Sequence, residues 1–237
     1  MSFNRKTLLA GVCSIALALA VGVSAQASPI TLSGSVWSYV TGTTDAGNAV
    51  LASVPARTPD VTFTLTGTTI GLTSSGSTDY TLSSFLATDA GISGVTGNAA
   101  VLSAPLGPLP APPNNGLTAQ GDIFTFTGTA SLTTGETFTV THDDGTSVYV
   151  NGALLGTTTA GATSSTAEMA VYTGPDVNSA NFEIVYGECC SAPADLATNL
   201  PSPAVSTVPE PSTFLLVLPA AALLLGFGLT RRFRFQG

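Results

Sequence analysis

The sequence predicts an all-β protein of short antiparallel strands, a sandwich or a barrel. Three features lead there. Thr, Ser, Gly, Val and Ala dominate the chain between its two ends, and lysine is missing from that body altogether; side chains branched at Cβ suit an extended backbone better than a helix. Apolar and hydroxyl residues alternate in several short runs, the period-2 pattern of a strand with one buried face. No stretch of the body repeats convincingly at 3.6 residues, and Gly-rich turns separate the runs.

The runs follow in order. Val61-Thr62-Phe63-Thr64-Leu65-Thr66 alternates first, then Asp122-Ile123-Phe124-Thr125-Phe126-Thr127. Thr137 to Thr141 and Ser147 to Val150 come next, and Asn181 to Tyr186 last. Alternation puts Phe138 with Val140 on one face, and Phe182, Ile184 and Tyr186 together on another. Asp144-Gly145 and Asn151-Gly152 read as hairpin dipeptides, because Asn, Asp and Gly accept positive φ. Five prolines between Pro105 and Pro113 exclude a central strand there, since proline lacks the N–H donor. They mark a long loop that divides the body into pieces 28–104 and 114–200. A second Pro/Ser/Thr stretch, 201–213, reads as a spacer.

The two ends are addresses. Arg5 and Lys6 precede an apolar run from Leu8 to Val23, and Ala25-Gln26-Ala27 supplies the small-x-small pattern that signal peptidase accepts. Residues 1–27 are therefore expected to be a signal peptide. At the other end Val208-Pro209-Glu210-Pro211 precedes an apolar stretch, Phe214 to Leu229, and then Arg231, Arg232 and Arg234. A spanning helix needs about 17–25 residues, so 214–230 is a short transmembrane helix, with 231–237 as a basic cytoplasmic tail. A Val-Pro-Glu-Pro motif, a short apolar helix and a closing basic cluster, in that order, resemble the PEP-CTERM sorting tag. The resemblance implies export from a Gram-negative bacterium that makes extracellular polysaccharide. It also implies recognition of Val208, Pro209, Glu210 and Pro211 by an exosortase. The helix is then an inner-membrane stage before the cell surface or matrix.

The ends also hold most of the positive charge. From Asp45 to Glu210, Arg57 faces all fourteen acidic residues, a net charge of −13. Nucleic acid is excluded as a partner, because phosphate neutralisation needs Lys and Arg. An anionic membrane surface is disfavoured for the same reason. Divalent cations are the expected counter-ions.

The densest chemistry lies in His142-Asp143-Asp144-Gly145-Thr146-Ser147-Val148-Tyr149-Val150-Asn151-Gly152. Adjacent carboxylates are hard oxygen donors that suit Ca²⁺, with Asn151 and backbone carbonyls as further donors. Asp and Gly also form turns, and paired acids at a loop tip are often merely solvated, so both readings stand on the residues alone. Asp143, Asp144, Gly145, Tyr149, Asn151 and Gly152 resemble the D-D-G signature of the lectin-like β-sandwich of bacterial protective antigens and fungal flocculins. Phe182-Glu183-Ile184-Val185-Tyr186-Gly187-Glu188 is similar to a later strand of that family, and Ala192 to Leu196 to its continuation. The resemblance implies a lectin-like antiparallel β-sandwich within 28–200. It further implies Ca²⁺ at Asp143 and Asp144, and glycan at Asp143, Asp144 and Asn151.

Catalysis is not expected. His142 is the sole histidine, and nothing singles out a serine to pair with it. Glu136 with Glu183 or Glu188 are the carboxylate pairs a glycoside hydrolase would draw on, but Trp37 is the sole tryptophan for a sugar platform. Cys189 and Cys190 leave both a vicinal disulfide and free thiols open. The expectation is a non-enzymatic surface or matrix protein that binds extracellular polysaccharide with Ca²⁺. The alternatives are a purely structural matrix or surface-layer component and, third, a polysaccharide hydrolase.

Overall fold

The computed structural model describes residues 28–41, 49–74, 80–106, 120–159, 165–189 and 193–204. The expected signal peptide 1–27, the Val208–Pro211 motif, the apolar segment 214–230, the basic tail and Cys190 lie outside them. Among the described residues, no helix is long and apolar enough to cross a membrane.

Alternation becomes two antiparallel sheets facing each other. The larger runs in the order β4 (Ile92–Gly97), β2 (Val61–Gly67), β1 (Ile30–Thr41), β5 (Gln120–Leu132), β10 (Val177–Cys189), β7 (Thr146–Val150), β8 (Ala153–Thr159). The smaller orders β3 (Thr69–Thr73), β11 (Asp195–Asn199), β6 (Thr137–His142) and β9 (Thr166–Val171). Every strand expected from the alternating runs forms, and β5 and β10 extend well beyond theirs. The sandwich is the outcome, not the barrel.

The inner faces carry the core. Phe63, Phe124, Phe126, Phe182, Ile184 and Tyr186 from the large sheet meet Ile70, Leu72, Phe138, Val140 and Leu196 from the small one in a single buried cluster. Phe138 and Phe182 bridge the sheets with ring centroids 5.5 Å apart. Each such side chain contributes about 1.5–3 kcal/mol through burial. Thr residues in phase with solvent fill the outer strand positions. On the outer face of the large sheet, Trp37, Ile123, Tyr149 and Val185 pack under Ala49, Leu51 and Val54. Arg57 fastens this flap through Asp60 at 2.8 Å, and its carbonyl accepts from the Trp37 indole at 2.8 Å.

Three expectations change. The Pro-rich stretch does not separate two domains, because β1 pairs with β5 and β3 pairs with β11 across it. The body runs past residue 200: Ser202–Pro203 forms β12 against Ser131 and Ala130, at an edge where a missing N–H costs little. Asn151-Gly152 does turn the β7–β8 hairpin, with φ of 50° and 77°. Asp144-Gly145 does not make a hairpin, since β6 belongs to one sheet and β7 to the other. It is the corner at which the chain changes layer.

Gly34 tests the packing. A Cβ there would overlap the Phe63 ring, which is buried against Phe126 at a centroid distance of 5.6 Å. Gly34→Ala is expected to cost about 2 kcal/mol and to lower Tm by about 4–8 °C. Gly71→Ala, whose Cβ would meet nothing within 4 Å, is the control, expected to leave Tm unchanged or slightly raised. Thermal unfolding of both variants checks the pair.

Candidate functional site: a buried acid corner

The corner is built by register. Leu196 pairs with His142 and Thr146 pairs with Tyr186, so the end of β6, the start of β7, the start of β11 and the far half of β10 share one end of the sandwich. Backbone bonds tie it down: the Asp143 N–H donates to the Asp195 carbonyl at 3.0 Å, and the Gly187 N–H to the Gly145 carbonyl at 2.8 Å. Glu188 pairs with Asp122 across β10 and β5. Strand alternation sets both in phase with the core aromatics Phe124 and Tyr186.

The carboxylates of this corner are not solvated loop-tip acids. Asp143 is 6% exposed, Asp144 4%, Asp122 2% and Glu188 1%. The Tyr186 hydroxyl donates to Glu188 Oε2 at 2.5 Å, while Glu188 Oε1 is buried with no hydrogen-bond partner among the described residues. Burial first, then the charge of Asp144, pushes the Glu188 carboxyl well above its ordinary value, against the opposing pull of the Tyr186 hydroxyl; Asp143 and Asp122 add to the rise. Asp143 is raised by burial and by Asp195, partly offset by His142. Tyr186 is raised by burial, Glu188 and Asp144. Arg57, the single Lys or Arg between the two ends, is engaged with Asp60 in the flap.

His142 sits beneath the corner, 1% exposed. Its Nδ1 lies 2.5 Å from the Asp144 carbonyl. A carbonyl only accepts, so Nδ1 carries a proton in this contact. Nε2 lies 4.0 Å from Glu168 Oε2 on β9, and both residues line a small cleft with Thr146, Val148, Leu155 and Met169.

The residues named from sequence divide. Asp143 and Asp144 stand together at the corner. Asn151 does not join them: it is at the other end of β7, a strand whose five residues span about 17 Å. There its Oδ1 accepts from the Asn181 N–H at 2.9 Å, which makes it a hairpin residue. Cys189 ends β10 opposite Gly121. The hydrolase pairs do not converge. Glu136 follows the far end of β5, binding the Thr133 N–H at 3.0 Å, whereas Glu188 lies opposite its start. Glu183 alternates with the core residues Phe182 and Ile184 and stands on the opposite face of the sheet. Asp122, Tyr186 and Glu188 are the corner residues the sequence reading missed as a group. Their signal was present, because acids at 122 and 188 fall in phase with apolar core positions.

Hard oxygen donors are the ligand type that a hard divalent cation takes. Among the described residues, no three His, Cys, Asp or Glu side chains enclose a metal by themselves. A Ca²⁺ shell would therefore draw on Asp143, Asp144 and neutral oxygens.

The raised carboxyls set a pH dependence. A group whose folded pKa is raised stabilises fully below its ordinary pKa and loses that contribution as pH climbs toward the folded value. For Glu188, Asp143 and Glu183 the loss begins near their ordinary values of 4.5, 3.8 and 4.5 and proceeds upward. Asp60, held down by Arg57, loses its contribution only as pH falls below 3.8. In metal-free buffer, stability is expected to fall as pH climbs above the ordinary carboxylate values of 3.8 and 4.5, and Glu188→Gln to flatten the fall. Urea unfolding over that climb in pH checks it; a wild-type profile that rises or stays level contradicts it.

No family model and no curated protein matches the chain. Among solved structures, it is similar to a PA14 sugar-binding domain from an RTX adhesin, at 22% identity over 70% of this chain and 86% of that one, with a TM-score of 0.44. It is also similar to the PA14 domain of the antifreeze protein MpAFP, at 18% identity over 75% and 84% of the two chains, TM-score 0.44. At these scores the functional reading rests on the residues of the corner itself.

Proposed function

We propose that this is a non-enzymatic, exported surface or matrix protein that binds carbohydrate through Ca²⁺ held at Asp143 and Asp144. One observation carries the reading. Two consecutive carboxylates are 6% and 4% exposed at the end of a sandwich, in a body whose single Lys or Arg is engaged elsewhere. Burying a carboxylate is costly unless it is protonated, paired or bound to a metal. Bound Ca²⁺ would supply open coordination positions for the paired hydroxyls of a sugar. Asp143 and Asp144 would anchor the ion, and the Gly187–Gly145 and Asp143–Asp195 backbone bonds hold the corner that presents them. Export and exosortase processing at Val208, Pro209, Glu210 and Pro211 belong to the same reading, supported by the order of motif, apolar stretch and arginines.

One observation favours a purely structural role instead: no three metal-binding side chains enclose a point among the described residues. Two measurements separate the readings. Calorimetric titration of Ca²⁺ into the metal-stripped full chain in detergent is expected to give one site, with Kd on the order of 10⁻⁴–10⁻³ M, as in extracellular Ca²⁺ modules. Asp143→Asn with Asp144→Asn should abolish the heat, and chelator should abolish binding on a glycan array. Absence of heat, or the same heat in the double variant, removes the metal; an array silent in Ca²⁺ leaves the structural role.

Intact mass of the protein isolated from its native host tests the ends. The expected mass lacks residues 1–27 and the segment beyond the Val208–Pro211 motif. Retention of Phe214–Gly237 would mean a plain membrane anchor.

A further inference from the structure

Glu188 is a buried acid held by one hydrogen bond of the described residues. Its side chain is 1% exposed. One oxygen is held by Tyr186 at 2.5 Å, and the other has no hydrogen-bond partner among the described residues. Its electrostatic neighbours are Asp144, Asp143 and Asp122, all negative when ionised, and the Tyr186 hydroxyl. A Glu needed only for packing at that position would be replaceable by an apolar residue of similar size, which would remove the buried polar atom at no loss. The location carries the second half of the argument. Glu188 is in phase with the strand positions that build the aromatic core, and the Gly187 N–H beside it donates to the carbonyl of Gly145, the residue after Asp144. Tyr186 stacks on Phe85 at 6.4 Å and packs on Phe124 at 5.5 Å.

We propose that Glu188 is the inner carboxylate of the cation corner, a positioning residue that supplies the third negative charge behind Asp143 and Asp144 and joins the bound ion to the core through Tyr186. The proposal rests on the reading of the corner as a cation site and adds a residue and a charge count to it. Three side chains do not enclose one point, so Glu188 acts on the ion by its charge from within and not as one of three enclosing donors. A site with three carboxylates around it favours ions of higher charge, and a trivalent lanthanide is then a tighter occupant than Ca²⁺. Tyr186, in contact with Glu188, is placed to pass excitation energy to such an ion.

The probe is Tb³⁺, titrated into the full chain in detergent and read by emission on tyrosine excitation, with competition by Ca²⁺. Wild type is expected to give sensitised emission that Ca²⁺ displaces, and Asp143→Asn with Asp144→Asn to lose binding. Glu188→Gln keeps an acceptor for the Tyr186 hydroxyl and removes the charge. It should bind Tb³⁺ about tenfold or more weakly, the scale of one lost charged contact. It should also show a smaller rise in Tm on adding Ca²⁺ than wild type does. A merely structural Glu188 would lower Tm equally with and without Ca²⁺ and leave the Tb³⁺ affinity alone; that result overturns the proposal while the cation corner stands. Wild type without Tb³⁺ or Ca²⁺ binding overturns the corner and the proposal together. Should Glu188→Gln fail to fold, Tyr186→Phe decides. It is expected to lose the sensitised emission while Ca²⁺ affinity stays within about threefold, and undiminished emission would overturn the proposal.

Discussion

The constraint on which the rest of the structure depends is the burial of several carboxylates at one end of a sandwich whose body contains a single arginine. Taking a carboxylate out of water costs several kcal/mol even after relaxation. Arg57 pairs with Asp60, and the pair fastens a flap on the outside of the large sheet. The corner has no Lys or Arg of its own, and burial raises the Glu188 and Asp143 carboxyls. A raised carboxyl favours its protonated form; on the proposed reading a cation would compete with that proton, and the stability of the fold would be linked to the occupancy of the corner by mass action.

The way the sandwich is built makes that linkage direct. β5 and β10 are the two longest strands and lie side by side in the middle of the large sheet. Over most of their length their inner positions are Phe124, Phe126, Phe182, Ile184 and Tyr186, all essentially inaccessible to solvent. At the end of the same two strands the inner positions become Asp122 and Glu188, without a break in register. Core and corner are therefore one continuous surface. A change in the charge state of the corner is felt by Tyr186, whose hydroxyl bonds Glu188 and whose ring packs on Phe85 and Phe124. A solvated pair of acids on a loop tip would have no such path into the core.

Much of this was legible before any coordinates. The alternating runs name five strands, and Phe138, Val140, Phe182, Ile184 and Tyr186 are core residues as period-2 patterning requires. Asn151-Gly152 is a hairpin as its dipeptide requires. What stayed hidden has physical causes. Strands such as Ile30–Thr41 and Ala153–Thr159 carry Gly, Ser and Thr in positions where an apolar residue would mark the pattern. Their identity as strands comes from neighbours far along the chain. Asp144-Gly145 has the composition of a hairpin turn, but turn chemistry fixes only local φ and ψ and does not say to which sheet the next strand belongs. For the same reason Asn151 looked like a partner of Asp143 and Asp144. It is close in sequence, yet β7 runs straight between them and carries it to the opposite end.

The same reasoning decides how the adjacent aspartates should be read. From composition, Asp143-Asp144-Gly145 fits a solvated turn and a ligand site equally well. A hairpin would have left the acids at its tip, in water. A corner that passes the chain from one sheet to the other brings them against the ends of four strands, β10 with Glu188 among them, and Asp122 comes with the register of a fifth, β5. The difference between a turn and a site here is topological: the dipeptide is the same, and the layer change is what removes its carboxylates from solvent and sets them beside Glu188, Asp195 and His142. An evolving β-sandwich that needed only a connection at this point would lose nothing by placing Asn or Ser in the turn and an apolar residue at 188. Four buried acids around one corner are the feature that the proposed cation reading addresses and a plain connection does not.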